Sequence, residues 1–138
     1  MFENSNNRTE LSELGEFGLI RHLASAVTSK NPATVKGIGD DCGVIRHDGK
    51  LELVTTDMLL EGVHFDLSYC PLKHLGYKSV MVNLSDIYAM NGKPGHIVVS
   101  LGLSNRISLE AVEELYEGIQ LACERDRKST RLYSSHVA

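Results

Sequence analysis

Apolar and polar side chains alternate along the segment LELVTTD, which begins at Leu51. Alternation with a period of two predicts a β-strand that buries one face. The triplet His-Asp-Gly at residues 47–49 predicts a hairpin turn leading into this strand. The apolar pattern breaks at Asp57, so we expect a carboxylate at the carboxyl end of the strand.

Oxygen-bearing side chains are concentrated at the end of this strand. Thr55, Thr56 and Asp57 would present three hard oxygen donors in a row. Such donors suit Mg²⁺ and phosphate better than zinc, which prefers nitrogen and sulfur. Glu61 and His64 follow after a glycine-bearing turn and are expected to face the same cleft.

The segment ELGEFGLIRHLASAV follows a polar segment, residues 1–12, which we expect to be a flexible lead. Its apolar residues recur at the spacing of an amphipathic helix. Pro32 is expected to stop this first helix, because proline disfavours helix in the residue before it. The apolar residues at this spacing are Phe17, Ile20, Ala24 and Val27.

A second helix is predicted from Pro71 to Gly92, and its sequence is apolar nearly all round, which indicates burial on most sides. Ser79, Asn83 and Asp86 place a polar stripe on one face. A buried carboxylate needs a partner, so the stripe is expected to face a metal, a donor or a wet cleft. The alternative is that Asn83 and Asp86 bond to neighbouring backbone groups.

The β-branched segment HIVVSLGLS predicts an inner strand, and Ser108 after it is expected to cap a third helix. Tyr116 lies beside the buried face of this helix. Its ring could pack in the core or stack on a ligand, and the periodicity alone favours the core. Residues 126–138 follow neither period, so we expect a divergent tail without regular structure. The predicted buried face of the third helix comprises Leu109, Val112, Leu115, Ile119, Ala122 and Cys123.

Acidic side chains recur at the ends of predicted elements. Asp40 and Asp41 form a turn between two short strands, and adjacent carboxylates repel unless a cation or donor lies between them. The alternative there is a solvated Asx turn. Asp41, Asp57 and Asp86 together fit metal-assisted phosphoryl transfer. The chain contains neither G-x-x-x-x-G-K-[ST] nor G-x-G-x-x-G, and no serine or cysteine nucleophile with a base and an orienting partner is evident.

Composition narrows the class of protein. The 138 residues have room for one domain, and the expected fold class is α/β of the α+β type, with a mixed sheet of about four strands and helices on one face. A net charge of −4 argues against nucleic acid or an anionic membrane as partner. Three cysteines without a C-x-x-C pair indicate reduced thiols and, with the polar amino terminus, a cytoplasmic protein.

Four segments carry a resemblance to a known family. ELGEFGLI, GIGDD, TTDMLLEGVHF and VNLSDIYAMNGKP resemble, in this order, the amino-terminal half of the bacterial thiamine-monophosphate kinases. These belong to the superfamily that includes aminoimidazole ribonucleotide synthetase. The resemblance covers residues 13–125 and implies the amino-terminal domain of that fold. It also implies a homodimer, in which the sheets of two copies close a barrel.

The resemblance further implies a reaction and roles for particular residues. The family transfers the γ-phosphoryl of ATP to thiamine monophosphate with several Mg²⁺ ions. EGVHF favours this activity over the related aminoimidazole ribonucleotide and selenophosphate synthetases. Matched by position, His64 is implied to contact the thiamine phosphate and Tyr116 to contact ATP. The implied metal ligands are Asp41, Thr55, Thr56, Asp57 and Asp86.

The resemblance ends at Arg125. Family members continue there into an apolar strand, a Gly-Gly-Asp segment and a second α/β domain, which we expect this chain to lack. Two hypotheses follow. The chain is a truncated thiamine-monophosphate kinase, or it is an inactive half-domain that binds metal and dimerises.

Overall fold

The computed structural model describes residues 8–126 in full and the backbone of residues 131–137. Residues 1–7 of the predicted lead, and residues 127–130 and 138 of the predicted tail, lie outside the described residues. The chain divides into two units, residues 1–54 and residues 55–138, and each is described by itself.

The first unit contains one helix and an antiparallel sheet. Helix α1 spans Leu11–Ala26, and strands β1 (Thr34–Lys36), β2 (Gly43–His47) and β3 (Lys50–Val54) follow. The sheet has the order β1-β2-β3, with both pairs antiparallel.

Helix α1 begins inside the segment predicted to be a flexible lead. Its first turn precedes Gly15, whose φ of 66° interrupts the helical backbone. Glycine adopts this left-handed conformation without a Cβ clash, so a helical turn forms on either side of it. The apolar face of this amphipathic helix is not buried within the unit. No residue of α1 is buried, and Phe17 is 73% exposed. Periodicity identifies an apolar face but does not say what covers it.

The hairpin predicted at residues 47–49 is confirmed. His47 pairs with Lys50, and the two residues between them have positive φ, 47° at Asp48 and 74° at Gly49. Positive φ at both positions is typical of a type I′ turn, whose twist matches that of the flanking strands. Strand β3 ends at Val54, three residues before the predicted end at Asp57, so the oxygen donors follow the strand.

The second unit contains two helices and a parallel pair of strands. Helix α2 spans Leu72–Ala89, strand β4 spans His96–Leu101, and helix α3 spans Leu109–Arg125. Strand β5, Arg131–Val137, pairs in parallel with β4. The sequence predicts no regular structure at β5. Pairing of its backbone with β4 explains the difference, since hydrogen bonds to a neighbouring strand leave no periodic signature in the sequence.

The α+β class with three helices is confirmed. Among the described residues, the strands form a three-stranded antiparallel sheet and a separate two-stranded parallel sheet, where the sequence predicts one mixed sheet of about four strands. Pattern analysis locates strands but carries little information on pairing partners. None of the helices in the described part of the chain is both long and apolar enough to span a membrane.

The core of the second unit lies between α2 and α3. Helix α2 buries one face, whereas Met81 and Tyr88 are 38% and 42% exposed, so the prediction of burial on most sides is wrong for this unit. In α3, Leu109 is 68% exposed, and buried Gly118 was not predicted. Ser108 caps α3 as predicted. None of the three cysteines forms a disulfide bond. The core cluster comprises Leu75, Val80, Leu84, Leu115, Ile119, Ala122 and Cys123.

Candidate functional site

Two of the predicted metal ligands touch in the second unit. The hydroxyl of Thr55 donates a hydrogen bond to Oδ2 of Asp86 across 3.2 Å, although the residues are 31 positions apart in the chain. Thr55 follows β3 in sequence, and Asp86 lies in the last turns of α2. Both are half-buried, while Thr56 and Asp57 next to Thr55 are exposed. The start of this unit therefore brings a hydroxyl and a carboxylate together, with a second carboxylate two residues away in sequence.

The polar stripe on α2 has a mixed character. The hydroxyl of Ser79 donates to the carbonyl oxygen of Gly76 at 2.7 Å, and Nδ2 of Asn83 donates to the carbonyl oxygen of Ser79 at 2.9 Å. These two residues therefore follow the alternative of bonding to neighbouring backbone. Asp86 differs, because a side-chain donor from another segment reaches it, as the prediction of a donor partner requires.

The donor chemistry around Asp86 fits a small hard cation. Mg²⁺ binds oxygen ligands in octahedral geometry at about 2.1 Å, which places neighbouring ligands about 3 Å apart. The 3.2 Å between the Thr55 and Asp86 oxygens is close to that separation. Among the described residues, no group of three or more His, Cys, Asp or Glu side chains is assembled to hold a metal ion. Thr55 supplies a hydroxyl oxygen, a ligand that is not among those four types of side chain.

Asp41 belongs to the first unit, where it adjoins a structured turn. Oδ1 of Asp40 accepts a hydrogen bond from the amide of Asp41 at 3.0 Å, and Oδ2 of Asp40 pairs with the ammonium of Lys36. The Lys36 hydrogen bond, followed by the Asp41 amide, lowers the pKa of Asp40. A donor thus relieves the repulsion expected between the adjacent acids, and Asp40 makes the local turn that the alternative described.

His64 lies in a tight turn, residues 60–65, which we call the His64 turn. Its amide donates to the carbonyl oxygen of Leu60 at 2.9 Å, and its Nδ1 accepts from the amide of Leu60 at 3.0 Å. Because Nδ1 accepts, the neutral ring carries its proton on Nε2. The amide of Gly62 donates to the carbonyl oxygen of Phe65 at 2.8 Å, and Gly62 has a φ of 78°. His64 is exposed, so Nε2 can donate to a ligand.

Lys78 contributes to this region and was not predicted from the sequence. Its ammonium donates to the carbonyl oxygen of His64 across 2.9 Å. Lysine at a helical position is ordinarily a solvated surface residue, so no pattern in the sequence singled it out.

Tyr116 lies on α3, is half-buried and packs against the core cluster of the second unit. This is the packing role that periodicity favoured. A half-buried tyrosine still presents part of its ring or its hydroxyl to solvent, so core packing does not conflict with a ligand contact.

Comparison with models of protein families identifies the family of the chain. A model of the family described as AIR synthase related protein, N-terminal domain, matches residues 39–133. The chain therefore belongs to this family. The match includes every residue that the resemblance implies to contact metal or substrate, from Asp41 to Tyr116. It also extends beyond Arg125, where the resemblance was expected to end.

Individual relatives point to one activity within the family. The thiamine-monophosphate kinase of Aquifex aeolicus is 42% identical over 114 residues, which are 83% of this chain and 35% of that protein. The enzyme of the same name from Bacillus subtilis is 37% identical over 108 residues, covering 77% of this chain and 33% of the relative. The resemblance inferred from four sequence segments is confirmed.

Solved structures agree with this assignment. The structure of AaThiL complexed with AMPPCP and TMP matches with a TM-score of 0.81 and 37% identity, over 95% of this chain and 40% of that one. A structure of thiamine monophosphate kinase from Aquifex aeolicus matches with a TM-score of 0.71 and 35% identity, over 94% and 39%. The chain spans about a third of the length of the curated relatives it matches.

Proposed function

We propose that this chain supplies the amino-terminal metal- and substrate-binding part of a thiamine-monophosphate kinase. The reaction transfers the γ-phosphoryl of ATP to thiamine monophosphate and yields thiamine diphosphate, a step of thiamine diphosphate biosynthesis. Support comes from relatives of that name and from a similar structure bound to AMPPCP and TMP. Cytoplasmic location stays a prediction of the sequence.

The observation that carries the proposal is the hydrogen bond between Thr55 and Asp86. It joins two residues that the sequence resemblance independently implies are metal ligands. A hydroxyl and a carboxylate at this separation also suit a cation that needs several oxygen ligands. The coincidence of family position and donor geometry is stronger than either alone.

Asp86 and Thr55 would hold Mg²⁺ together with Asp57 and Thr56, and Asp41 is the further proposed ligand. When bound, Mg²⁺ neutralises phosphate charge and orients the phosphates for in-line transfer. The chain's own part is to orient the carboxylates. The Thr55 hydroxyl does this for Asp86 by donating a hydrogen bond to its Oδ2.

His64 and Tyr116 are proposed to bind the two substrates. The Nε2–H of His64 would donate to an oxygen of the thiamine phosphate, since Nδ1 is already occupied by the Leu60 amide. Tyr116 would contact ATP through the part of its side chain that the core leaves accessible. No side chain is proposed as a nucleophile, because phosphoryl transfer needs positioning and charge stabilisation rather than a covalent intermediate.

A homodimer is part of the proposal. Exposed apolar side chains support it, including Leu51 on β3 at 61% and Phe17 on α1 at 73% exposure. Large exposed apolar areas are uncommon on monomers and mark surfaces that another protein covers. A second copy of the chain would bury them.

Calorimetric titration with Mg²⁺ tests the metal site. We expect Asp86→Asn and Asp57→Asn each to weaken binding, since each removes one negative charge from the ligand set while preserving side-chain shape. Asp48→Asn is the matched control. Asp48 is an exposed acid of the hairpin turn, and asparagine tolerates its positive φ. Equal Mg²⁺ affinity in all four proteins would exclude this site.

Turnover tests the activity. The purified chain is incubated with ATP, Mg²⁺ and thiamine monophosphate, and thiamine diphosphate is measured by chromatography. We expect turnover far below that of a version extended by the carboxyl-terminal half of a relative, because the chain spans about a third of those proteins. Asp86→Asn should abolish turnover in the extended version. Comparable turnover by the chain and the extended version would contradict this expectation, and Mg²⁺ binding that depends on Asp86, with no turnover in the extended version, would favour the metal-binding half-domain.

A further inference from the structure

Lys78 connects helix α2 to the His64 turn. Its ammonium donates to the carbonyl oxygen of His64 at 2.9 Å, across 14 positions of sequence. The lysine lies between buried Gly76 and buried Val80 on the same helix. Because Gly76 and Val80 are packed in the core, the Cα of Lys78 has a fixed position. A side chain on a packed helix holds its contact in a better-defined place than a side chain on a loop.

The His64 turn sets its own shape but depends on contacts outside it for its position. Bonds between Leu60 and His64, and between Gly62 and Phe65, close the turn on itself. Phe65 packs against the core cluster at one end. Lys78 holds the turn at His64 itself, whose ring carries the accessible Nε2. The lysine therefore acts at the residue whose placement determines where the ring can donate.

The basic side chains around Lys78 explain why a hydrogen-bond acceptor is favourable for its ammonium. Three other basic side chains, Lys73, His74 and Arg125, line the same depression between α2 and α3, which has a volume of about 360 Å³. The ammonium of Lys73 and the guanidinium of Arg125 repel a further cation placed near them. A carbonyl oxygen offers the compensating interaction, and hydrogen bonds with a charged donor are stronger than neutral ones.

We propose that Lys78 is a positioning residue for thiamine monophosphate. By holding the carbonyl of His64 it keeps the His64 turn against α2 and presents Nε2 of the ring to the substrate phosphate. The inference rests on the proposed function, in which His64 contacts that phosphate. Lys78 itself touches no substrate atom in this role, so its effect passes entirely through His64.

Amide hydrogen exchange tests the hold of Lys78 on the turn without any substrate. Lys78→Met removes the ammonium and keeps the length of an unbranched side chain. We expect exchange at residues 60–65 to rise roughly threefold to tenfold, the range expected for loss of one hydrogen bond to a charged donor at an exposed site. Lys78→Arg should restore most of the protection. Lys73→Met is the control, because Lys73 lies on the same helix and its ammonium is 3.8 Å from Glu117.

Calorimetric titration with thiamine monophosphate tests the positioning role. We expect Lys78→Met to weaken binding severalfold and Lys73→Met to leave it unchanged. His64→Asn keeps an acceptor in the place of Nδ1 and removes Nε2, so it should also weaken binding. Adding Lys78→Met to His64→Asn should cost nothing more, since the lysine acts through the ring that is already lost.

The outcomes separate the inference from the proposed function. Unchanged exchange at residues 60–65 in Lys78→Met would overturn the inference directly. Raised exchange with unchanged affinity, while His64→Asn weakens binding, would refute positioning and leave the proposed function standing. Unchanged affinity in His64→Asn, or no binding by the parent chain, would overturn the proposed role of His64 and the inference with it.

Discussion

Gly76 of α2 and Gly118 of α3 form a reciprocal close approach between the two helices of the second unit. A methyl group placed on Gly76 would overlap the carbonyl oxygen of Leu115, and one placed on Gly118 would overlap the carbonyl oxygen of Lys73. In each case the obstacle is backbone rather than a flexible side chain. The two glycines therefore set the distance at which α2 and α3 pack.

Gly76→Ala and Gly118→Ala are each expected to destabilise the protein. Overpacking costs about 1–3 kcal/mol, and we expect the upper part of that range because backbone must move. The better helix propensity of alanine offsets about 1 kcal/mol of this. The urea concentration at the midpoint of unfolding measures the difference.

Gly18→Ala provides the matched control for both glycines. Gly18 is also helical, but a methyl group there meets only Cβ of Leu14, at 3.4 Å. Alanine should therefore be neutral or stabilising at residue 18. A loss of stability at Gly18 equal to that at Gly76 would show that helix crossing is not the cause.

The elements near the site were largely predictable, because each has a local signal. Pro71 and Ser108 mark helix starts, and the Asp48–Gly49 turn marks a hairpin. The helix crossing was not predictable in the same way. Glycine within a helix is a poor helix former, and only the three-dimensional approach of Leu115 shows why it occupies residue 76.

The site itself was predictable in its residue types and less so in its contacts. Sequence placed Asp86 on a polar stripe and required a partner for it, but nothing in the spacing identified Thr55 as the donor. The Lys78 bond to His64 was missed for a related reason. A contact between a lysine and a backbone carbonyl depends on where a turn lies in space, and side-chain periodicity contains no information about that.

Thr55→Val is expected to affect both stability and the metal site. Valine keeps the shape of threonine and removes the hydroxyl that donates to Asp86. Loss of this half-buried bond should cost about 1 kcal/mol of unfolding free energy, and Mg²⁺ affinity should also fall. Thr56→Val is the control for the stability effect, because it makes the same substitution at the exposed neighbouring residue. Equal unfolding midpoints for the two variants would indicate that the Thr55–Asp86 bond contributes nothing measurable.

Ser108→Ala is expected to destabilise α3 at its start. The Ser108 side chain accepts a hydrogen bond from the amide of Ala111 at 3.2 Å, and loss of an N-cap typically costs about 1 kcal/mol. Ser108→Asp should retain the cap and gain from the helix dipole. Thermal unfolding followed by circular dichroism ranks the three proteins. A ranking in which aspartate is no better than alanine would contradict the capping role.

Cys123 is expected to react slowly with iodoacetamide in the folded chain. Burial raises the pKa of its thiol above the ordinary value of a cysteine, and the carboxylates of Asp126 and Glu124 raise it further. The thiolate is the nucleophile, so alkylation at neutral pH should be slower than at half-exposed Cys70 and should accelerate as the pH rises. The same shift contributes stability that is complete below the pKa of the thiol in the unfolded chain and is lost as the pH rises through the folded-state pKa. Peptide mass spectrometry resolves the two sites. Equal alkylation rates at Cys70 and Cys123 in the folded chain would disprove the prediction, whereas rates that become equal only in urea would support it.

Light scattering is expected to report a homodimer, with twice the chain mass of 15.2 kDa at micromolar concentration. Leu51 on β3 is 61% exposed, and Leu51→Glu should shift the protein toward monomer because it places a charge on the proposed interface. The fold should tolerate this change, since Leu51 pairs across the sheet with Arg46. Tyr69→Glu, at a residue 87% exposed outside the sheets, is the control and should remain dimeric. A folded monomer in the parent chain would count against the dimer, and dimers in both variants would exclude the β3 face as its interface.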